Sequence, residues 1–210
     1  MATDPKKTLD AYQAKRGEFR ILTVPPMQYL MVDGAGDPNT ASEYADAVGA
    51  LFPLAYTLKF ESRAQLGIDT VVMPLEGLWH APDMESFTTR RDKSAWLWTL
   101  MIMVPPHVTP AMFADAVSAV EAKLAKKKES APALASVRLE TLDEGLCVQT
   151  LHVGSYDDEA PVLADLHDRF VPENGLRMTG LHHEIYLSDV RRVAPEKLRT
   201  ILRQPVERAD

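Results

Sequence analysis

Two rhythms of apolar residues run through this chain, one of period two and one of period 3.6, and Pro and Gly mark where one gives way to the other. Residues 19 to 32 predict extended structure: FRILTV reaches Pro25-Pro26, which no helix crosses, and MQYLMVDG follows. GAGDPN then predicts a loop, and Ser42 the cap of a long helix with Tyr44, Val48, Leu51 and Ala55 on one side. Pro53 lies inside that helix and predicts a kink near Gly49 and Ala50. DTVVMPLEGLWH and AWLWTLMIMV predict strands joined by the polar connection FTTRRDKSAW. Thr109 and Pro110 open a helix whose apolar stripe is Phe113, Ala116, Val117, Val120 and Leu124.

KKKESAPALASV predicts a linker, after which the rhythm restarts. SVRLETL and GLCVQTLHVG predict a hairpin turning at Asp143-Glu144-Gly145. Asp157 or Asp158 caps a helix with Leu163, Leu166 and Phe170 inward, ended by Pro172, Asn174 and Gly175. LHHEIYLSD predicts a strand, and a short helix from Pro195, with Leu198, Ile201 and Leu202 on one side, is expected to close the chain. The order strand ending in glycine, helix, strand bearing a glutamate occurs twice, in YLMVDGAGDPN to MPLEGLW and in TLHVGSYDDE to HHEIYL. That order predicts one α+β domain over 1–210. Its pseudo-repeat halves fall at about 19–128 and 136–210, with helices on one face of an antiparallel sheet. It would also bring Glu76 and Glu184 toward a shared cleft from opposite sides.

Composition narrows the classes. The 210 residues are 46% hydrophobic with a formal net charge of -7, which argues against nucleic-acid binding. Lys126, Lys127 and Lys128 close a helix, where cations suit its dipole. Cys147 is the single cysteine, so no intramolecular disulfide forms, and its apolar setting predicts a core residue. The first residues lack an apolar signal region and no apolar run is long enough to span a membrane, so a soluble, cytoplasmic chain is expected. Its oligomeric state is open.

The candidate chemistry centres on LHHEIYLSD. Alternation puts His182, Glu184 and Tyr186 on one face, and His183 and Ile185 on the other. The adjacent histidines therefore do not chelate one ion together. His182 with Glu184 needs a third ligand such as His152, and no metal site is expected. There is no nucleophile elbow and no phosphate loop. What remains is carboxylates and aromatics. Glu184 reads either as a site carboxylate or as a partner for Arg177, and Glu76 follows the same reasoning more weakly. Glu159, read by itself, is an acid favoured by a helix start. Trp79 and Trp98 on strands and Tyr56 after Pro53 either fill cores or wall a cleft.

VDGAGDPN, ALFPLAYTLKF, VVMPLEGLWH, WLWTLMIMVPP, CVQTLHVGSYDDEAP, GLHHEIYLSDVRR and PEKLRTILRQPV together resemble the GyrI-like small-molecule-binding family, in its stand-alone branch that includes cyclopropanoid hydrolases. The resemblance implies duplicated strand–helix–strand–strand modules with a ligand groove between the pseudo-symmetric halves. By that resemblance Tyr56, Glu159 and Glu184 are catalytic. Trp79, Trp98, Glu76 and Tyr186 are ligand-binding, and His80 follows Trp79 where another aromatic is expected. It implies binding of planar, hydrophobic or cationic small molecules, with carboxylate-oriented water opening a cyclopropane and no metal or organic cofactor. The alternatives are a non-catalytic sensing or sequestering module and a gyrase-inhibitor-like protein. The partner expected is a small molecule rather than a nucleic acid or a membrane.

Overall fold

β-Branched and aromatic runs bounded by proline form the strands of this protein, and the long 3.6-period segments form its helices. A computed structural model describes residues 2–81 and 92–209. The first half of the connection FTTRRDKSAW, residues 87–91, lies outside them. In chain order the elements are α1 (Pro5–Thr8), β1 (Arg20–Val24), β2 (Met27–Ala35), α2 (Ser42–Leu66), β3 (Leu75–His80), β4 (Leu97–Val104), α3 (Pro110–Lys127), β5 (Arg138–Leu142) and β6 (Gly145–Val153). They continue with α4 (Ala160–Ala164), α5 (Val171–Glu173), β7 (Leu176–Met178), β8 (His182–Tyr186) and β9 (Arg199–Arg208). Two compact units result: Met1–Thr8 with Met27–Met73 and Ala81–Leu142, and Leu9–Pro26 with Pro74–His80 and Asp143–Asp210.

In the first unit β2 lies between β4 and β5, antiparallel to both. Tyr29, Leu30, Met31 and Val32 are buried in succession, as befits a central strand covered on both faces. Helix α2 passes through Pro53 as one helix and buries Ala47, Leu51, Leu54 and Leu58, while Tyr44 and Val48 are half-buried. Ser42 is its first residue rather than its cap, and Ala41 takes the cap position with no side-chain bond. Helix α3 starts as expected: Thr109 Oγ1 accepts the Met112 N–H at 3.2 Å, and Ala116 and Val120 are buried.

In the second unit the strand order is β1-β6-β9-β8-β3, all antiparallel, with β7 on the end of β9. Two expectations change here. The segment after Pro195 makes a single 3-10 turn, Pro195–Lys197, and then a ten-residue strand. Thr200 through Val206 are all buried, because β9 is covered on both faces, and such a strand loses the alternation that distinguishes it from a helix. Pro205 is tolerated where the neighbour of β9 changes from β8 to β7. The hairpin at Asp143-Glu144-Gly145 also gives way, since β5 pairs with β2 and β6 is flanked by β1 and β9.

The segment after β6 is a composite helix: a 3-10 turn at Tyr156–Asp158, α4, a wider π turn over Asp165–Phe170, and α5. Neither Asp157 nor Asp158 caps it; the residue before α4 is Glu159. Its Leu166 and Val171 pack with Val148, Leu176 and Val206, with Phe19, Leu146 and Phe170 around them. Among the described residues no helix is long and apolar enough to cross a membrane.

Candidate functional site

The helix-covered face of the second unit gathers acids and aromatics. Strand register places Gly77 opposite Glu184, Trp79 opposite His182 and Tyr186 opposite Thr200, so these side-chain positions share one face. The Tyr186 hydroxyl donates to Glu184 Oε2 at 2.8 Å and accepts the Trp79 indole N–H at 2.9 Å. Trp79 is 6% exposed. Gly77 makes this chain possible: a Cβ there would lie 2.8 Å from Trp79 Nε1 and 3.4 Å from the Tyr186 hydroxyl.

Glu159 enters from the start of the composite helix. It is 4% exposed, and its Oε1 has no hydrogen-bond partner. Burial, and then the charge of Glu184, push its pKa up to about 10; Asp157 adds to the rise. Thr200 opposes the rise, although its Oγ1 also lies outside hydrogen-bond geometry. At neutral pH Glu159 is therefore a neutral carboxylic acid beside Glu184. Tyr156 completes this cluster, its ring edge-on to Tyr186 with centroids 5.5 Å apart. Burial and then Glu159 and Glu184 push its hydroxyl up to about 12, so it stays a neutral donor.

His182 lies on the other flank of Glu184, with Nε2 3.5 Å from Oε1. Neither of its ring nitrogens has a hydrogen-bond partner. His167, from the composite helix, faces it edge-on with 6.0 Å between ring centroids. Burial and then His182 lower the His167 pKa to about 4. Arg177 pairs with Glu207 at 2.8 Å instead of Glu184, and His152 Nε2 meets the Ser155 carbonyl at 3.0 Å. Among the described residues no three His, Cys, Asp or Glu side chains converge as a metal site.

The opposite face of the same sheet carries Glu76, paired in register with Ile185 rather than with Glu184. The expected approach of Glu76 and Glu184 to one cleft is thus corrected by strand parity: they project from opposite faces. Glu76 is 0% exposed, with both oxygens engaged by Tyr12 at 2.5 Å and His183 Nε2 at 2.9 Å. His183 Nδ1 meets Glu144 Oε1 at 2.9 Å, and Arg203 donates to Glu144 Oε2 at 2.6 Å. With a carboxylate on each nitrogen both ring positions donate, so His183 is an imidazolium. Burial opposes that charge, but Glu144 and Glu76 outweigh it and raise the His183 pKa. For Glu144, burial is outweighed by His183 and Arg203, and its pKa falls to about 2. His183 and Arg203 thus meet Glu144 and Glu76 in one buried network behind β8. Arg203 also donates to Gln149 and to the Ala11 carbonyl, fixing the N-terminal segment of this unit on that face.

Tyr56 and Trp98 belong to the first unit. Tyr56 is 49% exposed on α2 and stacks on Phe60 with 6.4 Å between centroids. Trp98 is 1% exposed, so the wall position expected of it is a core position instead. Its ring lies over Gly34, where a Cβ would come within 2.0 Å, and edge-on to Tyr44. Tyr156, Thr200, Glu144 and Arg203 are the participants that sequence reasoning missed. An alternating reading of residues 199–208 would have put Thr200 and Arg203 on opposite faces of a strand; nothing marked Glu144 beyond its place in a turn.

The model of a family described as the GyrI-like small molecule binding domain matches residues 17–207. Among solved structures, an uncharacterized conserved protein from Listeria innocua is 40% identical with a TM-score of 0.85, over 97% of this chain and 99% of that one. A hydrolase from Listeria innocua is 38% identical with a TM-score of 0.83, over 99% of this chain and 100% of that one. The EcmrR C-terminal domain shares the fold at 12% identity and a TM-score of 0.55, covering 91% of this chain and 98% of its own. A comparison with curated protein sequences gives no match.

Proposed function

The chain belongs to the GyrI-like small-molecule-binding domain family, and on that premise we propose that it is a cytoplasmic hydrolase of cyclopropane-bearing, DNA-alkylating small molecules. The observation that carries the proposal is a buried Glu159 at the start of the composite helix, its pKa pushed up to about 10 by burial and by neighbouring Glu184. Two carboxyl groups driven apart in protonation supply an acid and a base at the same pH. The description of a 38% identical relative as a hydrolase supports the same reading.

Glu184 takes a proton from water as the water oxygen bonds to the cyclopropane methylene carbon. The strained C–C bond breaks, and its electron pair passes through the conjugated dienone to the carbonyl oxygen. Glu159 donates its proton to that oxygen, which becomes a phenol. Atoms balance as one added water. Tyr186 holds Glu184 by the 2.8 Å bond, leaving Oε1 to face the water. Tyr156, 38% exposed, offers aromatic surface to a planar ligand. The family resemblance assigns Tyr56 the third catalytic role.

Non-catalytic capture of a cationic planar ligand is the second reading, favoured by the charge of Glu184 beside Trp79 and Tyr186. Incubation with a cyclopropanoid alkylator, followed by mass spectrometry of the ring-opened product, separates the two. Product is expected from the wild type and not from Glu184→Gln. Equal product from both, or none from the wild type, overturns hydrolysis.

A further inference from the structure

Glu184 must lose the proton it takes from water before it can act again. Three side chains surround its carboxylate. The Tyr186 hydroxyl already donates to Glu184 and accepts from Trp79, so it has no use for another proton. Glu159 has given its proton to the product oxygen, and among the described residues no hydrogen bond joins it to Glu184. His182 differs from both. It lies 3.5 Å from Glu184 Oε1, and neither of its nitrogens has a hydrogen-bond partner. An imidazole only 15% exposed with no hydrogen bond on either nitrogen is uncommon in a folded protein and calls for a role.

We propose that His182 is a positioning and proton-accepting residue that relieves Glu184 of the proton taken from water. The proposal rests on Glu184 being the base of the reaction above. The proton passes from Glu184 Oε1 to His182 Nε2, with no change in bonding elsewhere. The groups facing His182 suit this task. On its own strand Glu184 stabilises the imidazolium. On β3 its register partner is Trp79, which does not ionise. From the composite helix comes His167, with Asp168 beside it and Gln204 of β9 as a hydrogen-bond partner. Because His167 remains neutral, it adds no positive charge to oppose protonation of His182. His182 is itself 15% exposed, so it passes the proton on to solvent.

The test uses the whole chain, with two variants and two readouts. In His182→Ala, turnover of the cyclopropanoid alkylator is expected to fall at least about 10-fold, below the roughly 10²–10⁴-fold supplied by a direct acid or base. Added imidazole is expected to restore it, which repair of a merely structural loss would not achieve. Independently of activity, the imidazole of His182 is followed by ¹⁵N NMR in wild type and Glu184→Gln. Its Nε2 signal is expected to move in the variant, since an amide replaces the carboxylate 3.5 Å away. An unmoved signal, or a His182→Ala rate that equals wild type or ignores imidazole, overturns the relay. If Glu184→Gln itself turns over normally, the hydrolytic reading fails instead, so the two failures are distinguishable.

Discussion

Tyr186 points its hydroxyl at Glu184, 2.8 Å from Oε2, while the Trp79 indole N–H holds that same hydroxyl at 2.9 Å. A tyrosine with its lone pair and its proton both committed fixes one carboxylate oxygen and leaves the other turned toward reactants. Tyr186→Phe removes both bonds. Unfolding free energy is expected to drop by about 1–2 kcal/mol and turnover about 10-fold, read by urea titration and product formation. A variant with unchanged kcat contradicts the anchoring role.

Gly77 is the steric condition for that chain. Gly77→Ala would set a methyl 2.8 Å from Trp79 Nε1, on a strand that cannot retreat from its neighbours. Overpacking of this kind costs about 1–3 kcal/mol. A lower Tm and an altered tryptophan emission are expected together, because the indole must move. Unaltered emission would show that the ring has more room than the geometry allows.

Glu159 is a site where activity and stability oppose each other. Its folded pKa of about 10 exceeds the unfolded 4.5, so folding takes up a proton at every pH between them. Stability contributed by this group is present below 4.5 and declines as pH rises toward about 10. Glu159→Gln removes the penalty. The variant is expected to be more stable than wild type at pH 8, with a smaller gain at pH 5, while losing hydrolysis. Equal stability at both values would mean that the carboxyl is not held protonated.

The buried charges behind β8 titrate in the opposite sense at their two ends. His183 has a raised pKa, so its contribution is complete below its unfolded value of 6.5 and is lost as pH climbs through the folded one. Glu144 contributes fully above 4.5 and loses its effect as pH falls toward about 2. The cluster is thus strongest between about 4.5 and 6.5. His183→Ala takes the cation from Glu76 and one of two from Glu144, which keeps Arg203, and is expected to cost about 3–5 kcal/mol. Denaturant titrations across pH check both. A variant whose stability curve keeps the wild-type shape contradicts the assignment.

Glu184 could be read from LHHEIYLSD because β8 keeps the alternation of a strand with unlike faces: His183 and Ile185 are buried, while His182 and Glu184 are partly exposed. The same logic failed at β9, where two covered faces leave only an apolar run and Pro195 suggested a helix start. Thr200 and Arg203 were lost with it. Glu76 was found as a residue but placed on the wrong side, since its face depends on a one-residue register against β8 that no local pattern specifies. Glu144 binds His183 across 39 positions of sequence, a distance over which periodicity carries no information. The helix start at Glu159 gave an acid its ordinary explanation. Burial against β9 is what makes it chemically unusual.

The measurement that bears most directly on the hydrolytic account is a single turnover of a cyclopropanoid alkylator in ¹⁸O-labelled water, with product read by mass spectrometry. The account predicts one labelled oxygen on the ring-opened carbon with wild-type protein, and no enzymatic product with Glu184→Gln. Product carrying unlabelled oxygen from the protein, or labelled product at the wild-type rate from Glu184→Gln, would contradict it.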